Sequence, residues 1–346
     1  MAPWPGTRPS FETPLSAAPQ DEDSGWPCVL DDGSRFRASF ARSPKPVILI
    51  SGYLGAGKTT LVNHLLRNAG GRRIAVAVNE FGALPIDPDL IEQASGDVLT
   101  LAGGCICCSF GDDLTSSLVS LAAHENIDCI LIETSGVALP GAVAQSLALV
   151  AGLKHEATLV LVDAETARKL ARDKYLADTI LRQLAEADLV VLNKTDLVPD
   201  EARANLLRWL ADTAPRAKIV ETAFGALAPE IAFGAYAPGA FVADAPAPHG
   251  GAQPQSQSFE IADALDIARL AALLAAEETN LVRAKGFLRD ADGAWKLLQI
   301  VGRRSDVTPA RAPPDGKGRL VCIAHGAPLE RARIETLVRS CSTARG

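Results

Sequence analysis

The chain has 346 residues, 48% of them hydrophobic and 22% charged, which is enough apolar content to bury a sizeable core and excludes wholesale disorder. At roughly 100–200 residues per domain, two domains are expected. A formal charge of −7 with no Lys/Arg block lacks the footprint that phosphate-backbone binding needs, so nucleic acid is not an expected partner. No apolar run approaches the roughly 20 residues that span a bilayer, and the first forty residues lack the basic start and apolar centre of a signal peptide. The expectation is a cytoplasmic protein without a membrane partner, whose seven cysteines stay reduced instead of forming a disulfide framework.

Residues 1–44 are rich in Pro, Ser and acidic residues and, apart from a candidate hairpin at Asp31-Asp32-Gly33-Ser34, read as a flexible extension. From Pro46 onward, short apolar runs at 47–50, 74–78, 129–132, 158–162 and 189–192 read as strands buried on both faces. Stretches of helical period at 59–68, 112–123, 141–151, 178–187 and 200–211 separate them. Strands alternating with helices predict an α/β fold with a parallel sheet over 45–225. The Ala/Pro/Gly/Gln-rich stretch 226–256 reads as a linker. Beyond it, strands at 257–261, 281–289, 295–301 and 319–324 and helices at 264–277 and 328–340 predict a small α+β C-terminal domain over 257–346.

Gly52-Tyr53-Leu54-Gly55-Ala56-Gly57-Lys58-Thr59 fits a phosphate-binding loop between a buried strand and a helix. Its glycines let backbone N–H groups point at phosphate oxygens, Lys58 reaches the β/γ-phosphates and Thr59 meets Mg²⁺. Asn193-Lys194-Thr195-Asp196 ends a later strand at the same sheet edge. Asp196 there can accept from the ring N–H and amine of guanine and so select GTP over ATP, with Lys194 over the base plane; a capped strand-to-helix turn is the structural alternative. Glu133-Thr134-Ser135-Gly136 stands where such enzymes keep an acidic residue near Mg²⁺ and a glycine near the γ-phosphate, and Thr134 or Ser135 could also cap the next helix. Asn79-Glu80-Phe81-Gly82 could open a loop that senses the γ-phosphate, with Glu80 and Asp87 as polar contacts.

Cys105, Cys107 and Cys108 crowd into four residues. Thiolates at that density suit Zn²⁺ or a similar cation, and three ligands leave a coordination position open, as metal held for exchange requires. A redox-active thiol cluster and inert buried cysteines are the alternatives. The five histidines show no ligand spacing.

Together, the loop from Gly52 to Thr60, Asn79–Gly82, Gly104-Cys105-Ile106-Cys107-Cys108, Glu133–Gly136 and Asn193–Asp196 resemble the motifs of the CobW-like GTPases, and the resemblance runs from about Pro46 to Cys341. It implies a P-loop NTPase sheet flanked by helices, followed by the family's C-terminal domain. It further implies GTP hydrolysis coupled to handing a transition metal, zinc first and Co²⁺ second, to a client metalloprotein. The residues implied to bind nucleotide are Gly52, Gly55, Ala56, Gly57, Lys58, Thr59, Thr60, Gly136, Asn193, Lys194 and Asp196. Lys58, Thr59 and Glu133 serve hydrolysis, Thr59 holds magnesium, and Cys105, Cys107 and Cys108 hold the transition metal. The histidine-rich tract common between the domains of relatives is reduced here to His249. The second reading is a GTP-dependent switch that recruits a partner and uses redox-active cysteines. Homo-oligomerisation is left open.

Overall fold

Pro46-Val47-Ile48-Leu49-Ile50 is apolar without interruption because both faces of the strand it forms are covered. In the computed structural model Ile48 and Ile50 enter one apolar cluster, with Leu61, Leu65, Leu131, Leu159 and Leu161, while Val47 and Leu49 enter another with Leu118, Ile130, Ile132 and Leu147. The structure describes residues 44–78, 100–101, 112–234, 254–276, 279–326 and 328–343. The hairpin expected at 31–34, the Asn79–Gly82 motif with Asp87, the three clustered cysteines and His249 lie outside the described residues.

The first strand, β1 (Lys45–Gly52), sits at the centre of a seven-stranded sheet. On one side lie β4 (Cys129–Glu133), β2 (Ile74–Val78) and β3 (Thr100–Leu101); on the other lie β5 (Leu153–Asp163), β6 (Leu189–Asn193) and β7 (Lys218–Glu221). Every neighbouring pair is parallel, so the loops that follow β1, β4, β5, β6 and β7 all open on one edge. The flanking helices are α1 (Lys58–Arg67), α2 (Asp112–Ala123), α3 (Pro140–Ala148), α4 (Ala167–Leu170), α5 (Ala177–Ala185) and α6 (Asp200–Thr213). This is the P-loop NTPase arrangement expected from the sequence. No helix among the described residues is long and apolar enough to cross a membrane.

A second, antiparallel sheet follows, in the order β11 (Arg304–Pro309), β10 (Trp295–Val301), β9 (Leu281–Arg289), β12 (Gly318–Ala324), β8 (Gln255–Ile261). Helices α8 (Ile267–Ala275) and α9 (Arg331–Ser340) bury their apolar faces against it in one cluster that includes Leu270, Leu274, Leu288, Leu298, Leu320 and Ile334. Helix α8 starts later than its apolar pattern suggests, because Asp266 caps it by accepting from the Arg269 N–H at 3.0 Å.

Strands β3, β7 and β11 escape the sequence pattern, the last two for the same reason. Strand β7 is a four-residue edge strand, and β11, Arg-Ser-Asp-Val-Thr-Pro, is the polar edge of the second sheet; neither has both faces buried, so neither carries an apolar run. The linker expected over 226–256 is corrected at its start. Leu227 and a short helix, α7 (Pro229–Phe233), pack Ile231, Ala232 and Phe233 into the cluster around α1, where Val282, Val301 and Ile323 of the second sheet also insert. Alanine and proline are common in flexible stretches, but the apolar pair at 231 and 233 decides this one.

The two sheets meet through buried charge as well as apolar contact. Glu156 of β5 accepts from Arg283 at 3.1 Å and from Gln299 at 3.1 and 3.0 Å. Asp188 accepts from Arg304 at 2.8 Å, and Lys154 donates to Gln299 at 2.8 Å and pairs with Asp306 at 2.5 Å. Arg283 also donates to the carbonyls of Ile231, at 2.8 Å, and of Ala232, binding the end of α7. Arg283 and Glu156 are both buried, and removing one partner of such a pair strands the other charge away from water. Arg283→Met is therefore expected to lower the unfolding free energy by about 3 kcal/mol, read as a shift of the urea midpoint at unchanged slope. A loss below about 1 kcal/mol would mean that the pair behaves as a solvated surface bridge.

Candidate nucleotide site

The chain leaves β1 at Gly52, turns through an Ala56 N–H to Tyr53 carbonyl bond of 3.2 Å, and enters α1 at Lys58. Gly57 holds φ at 100°, and a Cβ there would lie 2.4 Å from Nδ2 of Asn193; both the backbone angle and the space demand glycine. No side chain caps α1 and no acidic residue stands in its first turn. The first-turn N–H groups and the positive end of the helix dipole therefore point to the loop, the local arrangement that holds an anion. Lys58 is buried and donates to the Gly52 carbonyl at 2.9 Å and towards that of Tyr53 at 3.4 Å, so its ammonium lies within the curve of the loop.

Strand pairing brings in the acidic residue. The parallel register sets Ile50 of β1 opposite Glu133 of β4, and the Glu133 carboxylate, 2% exposed, accepts from the Thr59 hydroxyl at 2.8 Å. The turn after β4 then lies directly on the phosphate loop, because a Cβ at Gly136 would sit 2.7 Å from both N and Cγ of Leu54. Thr134 and Ser135 do not cap the following helix, whose N-cap is Leu139 without a side-chain hydrogen bond. The capping role open to them in the sequence is thus corrected: Pro140 starts α3 without needing a donor partner.

On the other flank, Asn193 ends β6 and is 2% exposed. Its Nδ2 donates to the Ala56 carbonyl at 2.9 Å, and its Oδ1 accepts from the Gly225 N–H at 3.0 Å. Asn193, which the resemblance implies binds nucleotide, holds backbone at both ends of its amide and ties the phosphate loop to the loop after β7. Lys194 takes a left-handed φ of 62° and pairs with Asp163, at the end of β5, at 2.6 Å. Thr195 donates to the Thr222 carbonyl at 3.0 Å, and Asp196 is the exposed carboxylate of this turn.

Asp163 and the loop Thr222-Ala223-Phe224-Gly225 carry no motif in the sequence. The latter follows a strand too short to announce itself, and it presents Phe224 at 74% exposure beside the turn that carries Asp196. Lys58, Thr59, Glu133, Gly136 and Asn193 are thereby brought together at one sheet edge, with Lys194 and Asp196 on its far flank. Cys105, Cys107 and Cys108 lie outside the described residues. Among the described residues no three His, Cys, Asp or Glu side chains converge as metal ligands. Burial pushes the Cys129 and Cys322 thiols up to about 12, and burial lowers His64, His155 and His325, so that each favours its neutral form.

A glycine-turned loop between a central parallel strand and a helix, closed by Lys58 and Thr59 and faced by a strand-end carboxylate, defines a P-loop NTPase. The chain belongs to the CobW/HypB/UreG family: that family's nucleotide-binding domain matches residues 46–221, and the cobalamin synthesis protein cobW C-terminal domain matches residues 255–342. A Pseudomonas aeruginosa protein named zinc chaperone CobW is 38% identical over 215 residues, covering 53% of this chain and 57% of that protein. A Schizosaccharomyces pombe protein named zinc-regulated GTPase metalloprotein activator 1 is 34% identical over 195 residues, covering 53% of this chain and 47% of that protein. The chain thus spans about half the length of the curated relatives it matches. Among solved structures, the Zn(II)-bound YjiA GTPase from E. coli is 27% identical with a TM-score of 0.38, covering 87% of this chain and all of that one.

Two outcomes are expected from this geometry. Asn193→Ala leaves the Ala56 carbonyl and the Gly225 N–H without their partner and should cost about 2 kcal/mol in denaturant unfolding; no change would mean that water replaces the amide. Iodoacetamide at pH 8 on the folded, reduced protein should leave Cys129 and Cys322 unmodified by peptide mass mapping, and both should react once urea unfolds the chain. Prompt labelling of either in the folded state would refute their burial.

Proposed function

We propose that this protein binds and hydrolyses GTP and uses that cycle to carry a transition metal, zinc first and cobalt second, to a client metalloprotein in the cytoplasm. The observation that carries the reading is the Thr59–Glu133 hydrogen bond at the mouth of the glycine loop: a helix N-terminus with a buried lysine, a hydroxyl and a carboxylate converging on one point suits a nucleotide phosphate with its magnesium. Membership of the family, and relatives named as zinc chaperones and zinc-regulated GTPases, support the metal-carrying part.

In this reading Gly52, Gly55, Ala56, Gly57 and Thr60 line the phosphates and Lys58 neutralises them. Thr59 and Glu133 would hold Mg²⁺, which when bound offsets charge on the β- and γ-phosphates. Gly136, pressed against Leu54, offers its N–H towards the γ-phosphate. Asp196 reads the guanine edge and Lys194 lies along the base. Asn193 positions, holding the phosphate loop and the Gly225 loop at a fixed separation. Cys105, Cys107 and Cys108 hold the cargo metal, and a change of nucleotide state alters their affinity for it through the loops on the same sheet edge.

The test is chelator competition for Zn²⁺ and Co²⁺ on the reduced protein with GTP–Mg²⁺, with GDP–Mg²⁺ and without nucleotide. Tight binding with GTP, weaker binding with GDP, and loss of both in Cys107→Ser are expected. Metal affinity indifferent to nucleotide, or unchanged in Cys107→Ser, would overturn the carrier reading and leave a nucleotide switch whose thiols serve another purpose.

A further inference from the structure

Gln183 is a polar side chain on the buried face of α5, 1% exposed, and it lines a small cavity with Tyr53, Leu54 and Ala56 of the phosphate loop. Its Nε2 donates to two carbonyls of the turn after β4, Gly136 at 3.2 Å and Ala138 at 2.9 Å. From the end of the same helix, Glu186 accepts from the Gly141 N–H at 2.8 Å, at the start of α3. Helix α5 therefore grips the segment 136–141 at three backbone groups, using both signs of hydrogen bond. A glutamine buried this deeply is costly unless its amide is satisfied, and an aliphatic residue would serve the core at that position equally well. Both of its hydrogen bonds go to one turn.

That turn is the one whose Gly136 lies against Leu54 of the phosphate loop, with no room for a side chain between them. A turn free to rock would carry the Gly136 N–H to and from the γ-phosphate position; a turn held at its carbonyls keeps it there. We propose that Gln183, with Glu186 as an outer tie, is a positioning residue that holds the Gly136 turn against the phosphate loop and thereby sets the preference for a nucleoside triphosphate over a diphosphate. The inference rests on the nucleotide reading above. Because GDP lacks the phosphate that Gly136 would meet, the two contacts to Gln183 matter for GTP alone.

The experiment compares GTP and GDP affinities of wild type, Gln183→Met and Glu186→Leu by displacement of a fluorescent GDP analogue in the presence of Mg²⁺. Gln183→Met keeps the volume and removes both donors. It should weaken GTP about five- to tenfold more than GDP, alongside a lower melting temperature from the two carbonyls left without a donor, and Glu186→Leu should shift the ratio in the same direction by less. Equal loss of GTP and GDP affinity, or an unchanged ratio, in a folded Gln183→Met would overturn the proposal by showing that the glutamine only supports the fold. Should Gln183→Met fail to fold, the Glu186→Leu ratio decides in the same way. If wild type binds neither GTP nor GDP, the nucleotide reading itself fails, an outcome distinct from an unaltered ratio in a protein that binds both.

Discussion

The side-chain amide of Asn193 joins the phosphate loop to the loop after β7, which also packs against the backbone of α1 at Thr60 and Leu61. Its donor holds the Ala56 carbonyl of the phosphate loop and its acceptor holds the Gly225 N–H after β7, and Gly57 must lack a side chain for the amide to come so close. The requirement for glycine in the loop thus comes partly from the neighbouring strand end and only partly from the phosphate it would bind. Parallel pairing puts β1, β4, β5 and β6 in register at one edge, and this amide converts the shared edge into one rigid cradle. An aspartate would present two acceptors to a carbonyl, and a serine would not span both partners; asparagine alone offers a donor and an acceptor at this reach.

The constraint extends to the second sheet. The loop tied by Asn193 at Gly225 runs directly into α7, whose final carbonyls are held by Arg283 of β9. Arg283 in turn is neutralised by Glu156 on β5, so the segment 225–232 is fixed at one end by the nucleotide-site asparagine and at the other by a buried ion pair between the sheets. Burying that pair has a cost that apolar residues would avoid, but apolar residues would not hold backbone carbonyls. The fork of a guanidinium can satisfy a carboxylate and two carbonyls together, which accounts for a buried arginine at this point of β9.

Much of the nucleotide sheet was legible from the sequence because strands covered on both faces must be apolar throughout, as at 47–50, 129–132 and 189–192. Elements covered on one side only were not legible: β7 and β11 lie at sheet edges, and α7 hides in a stretch whose alanines and prolines look like linker. At the site, the glycine loop, Glu133 and the Asn193 turn were legible because each follows a buried strand, and parallel pairing gathers those strand ends at one edge. Gln183, Asp163 and Arg283 were not, since each acts through a partner far away in the chain and a lone glutamine in a helix carries no spacing signal. The role of Asn193 was half legible. Its position at the strand end could be read, but the protein backbone that occupies both ends of its amide could only be seen once Gly57 and Gly225 were in place.

The carrier reading makes a demand on thiol chemistry that the described cysteines do not meet. A thiophilic metal binds thiolates and displaces their protons, which is easiest where the thiol pKa is depressed by exposure and nearby positive charge. Cys129 lies on a central strand and Cys322 in the second sheet, and burial pushes both thiols up to about 12, where almost no thiolate exists at neutral pH. Cys341 is buried under α9 in the same apolar cluster as Cys322. All three behave as small apolar residues of the core. A metal held through thiolates would therefore draw on cysteines other than these three, and in the proposed reading the run Cys105-Ile106-Cys107-Cys108 offers three thiols at close spacing.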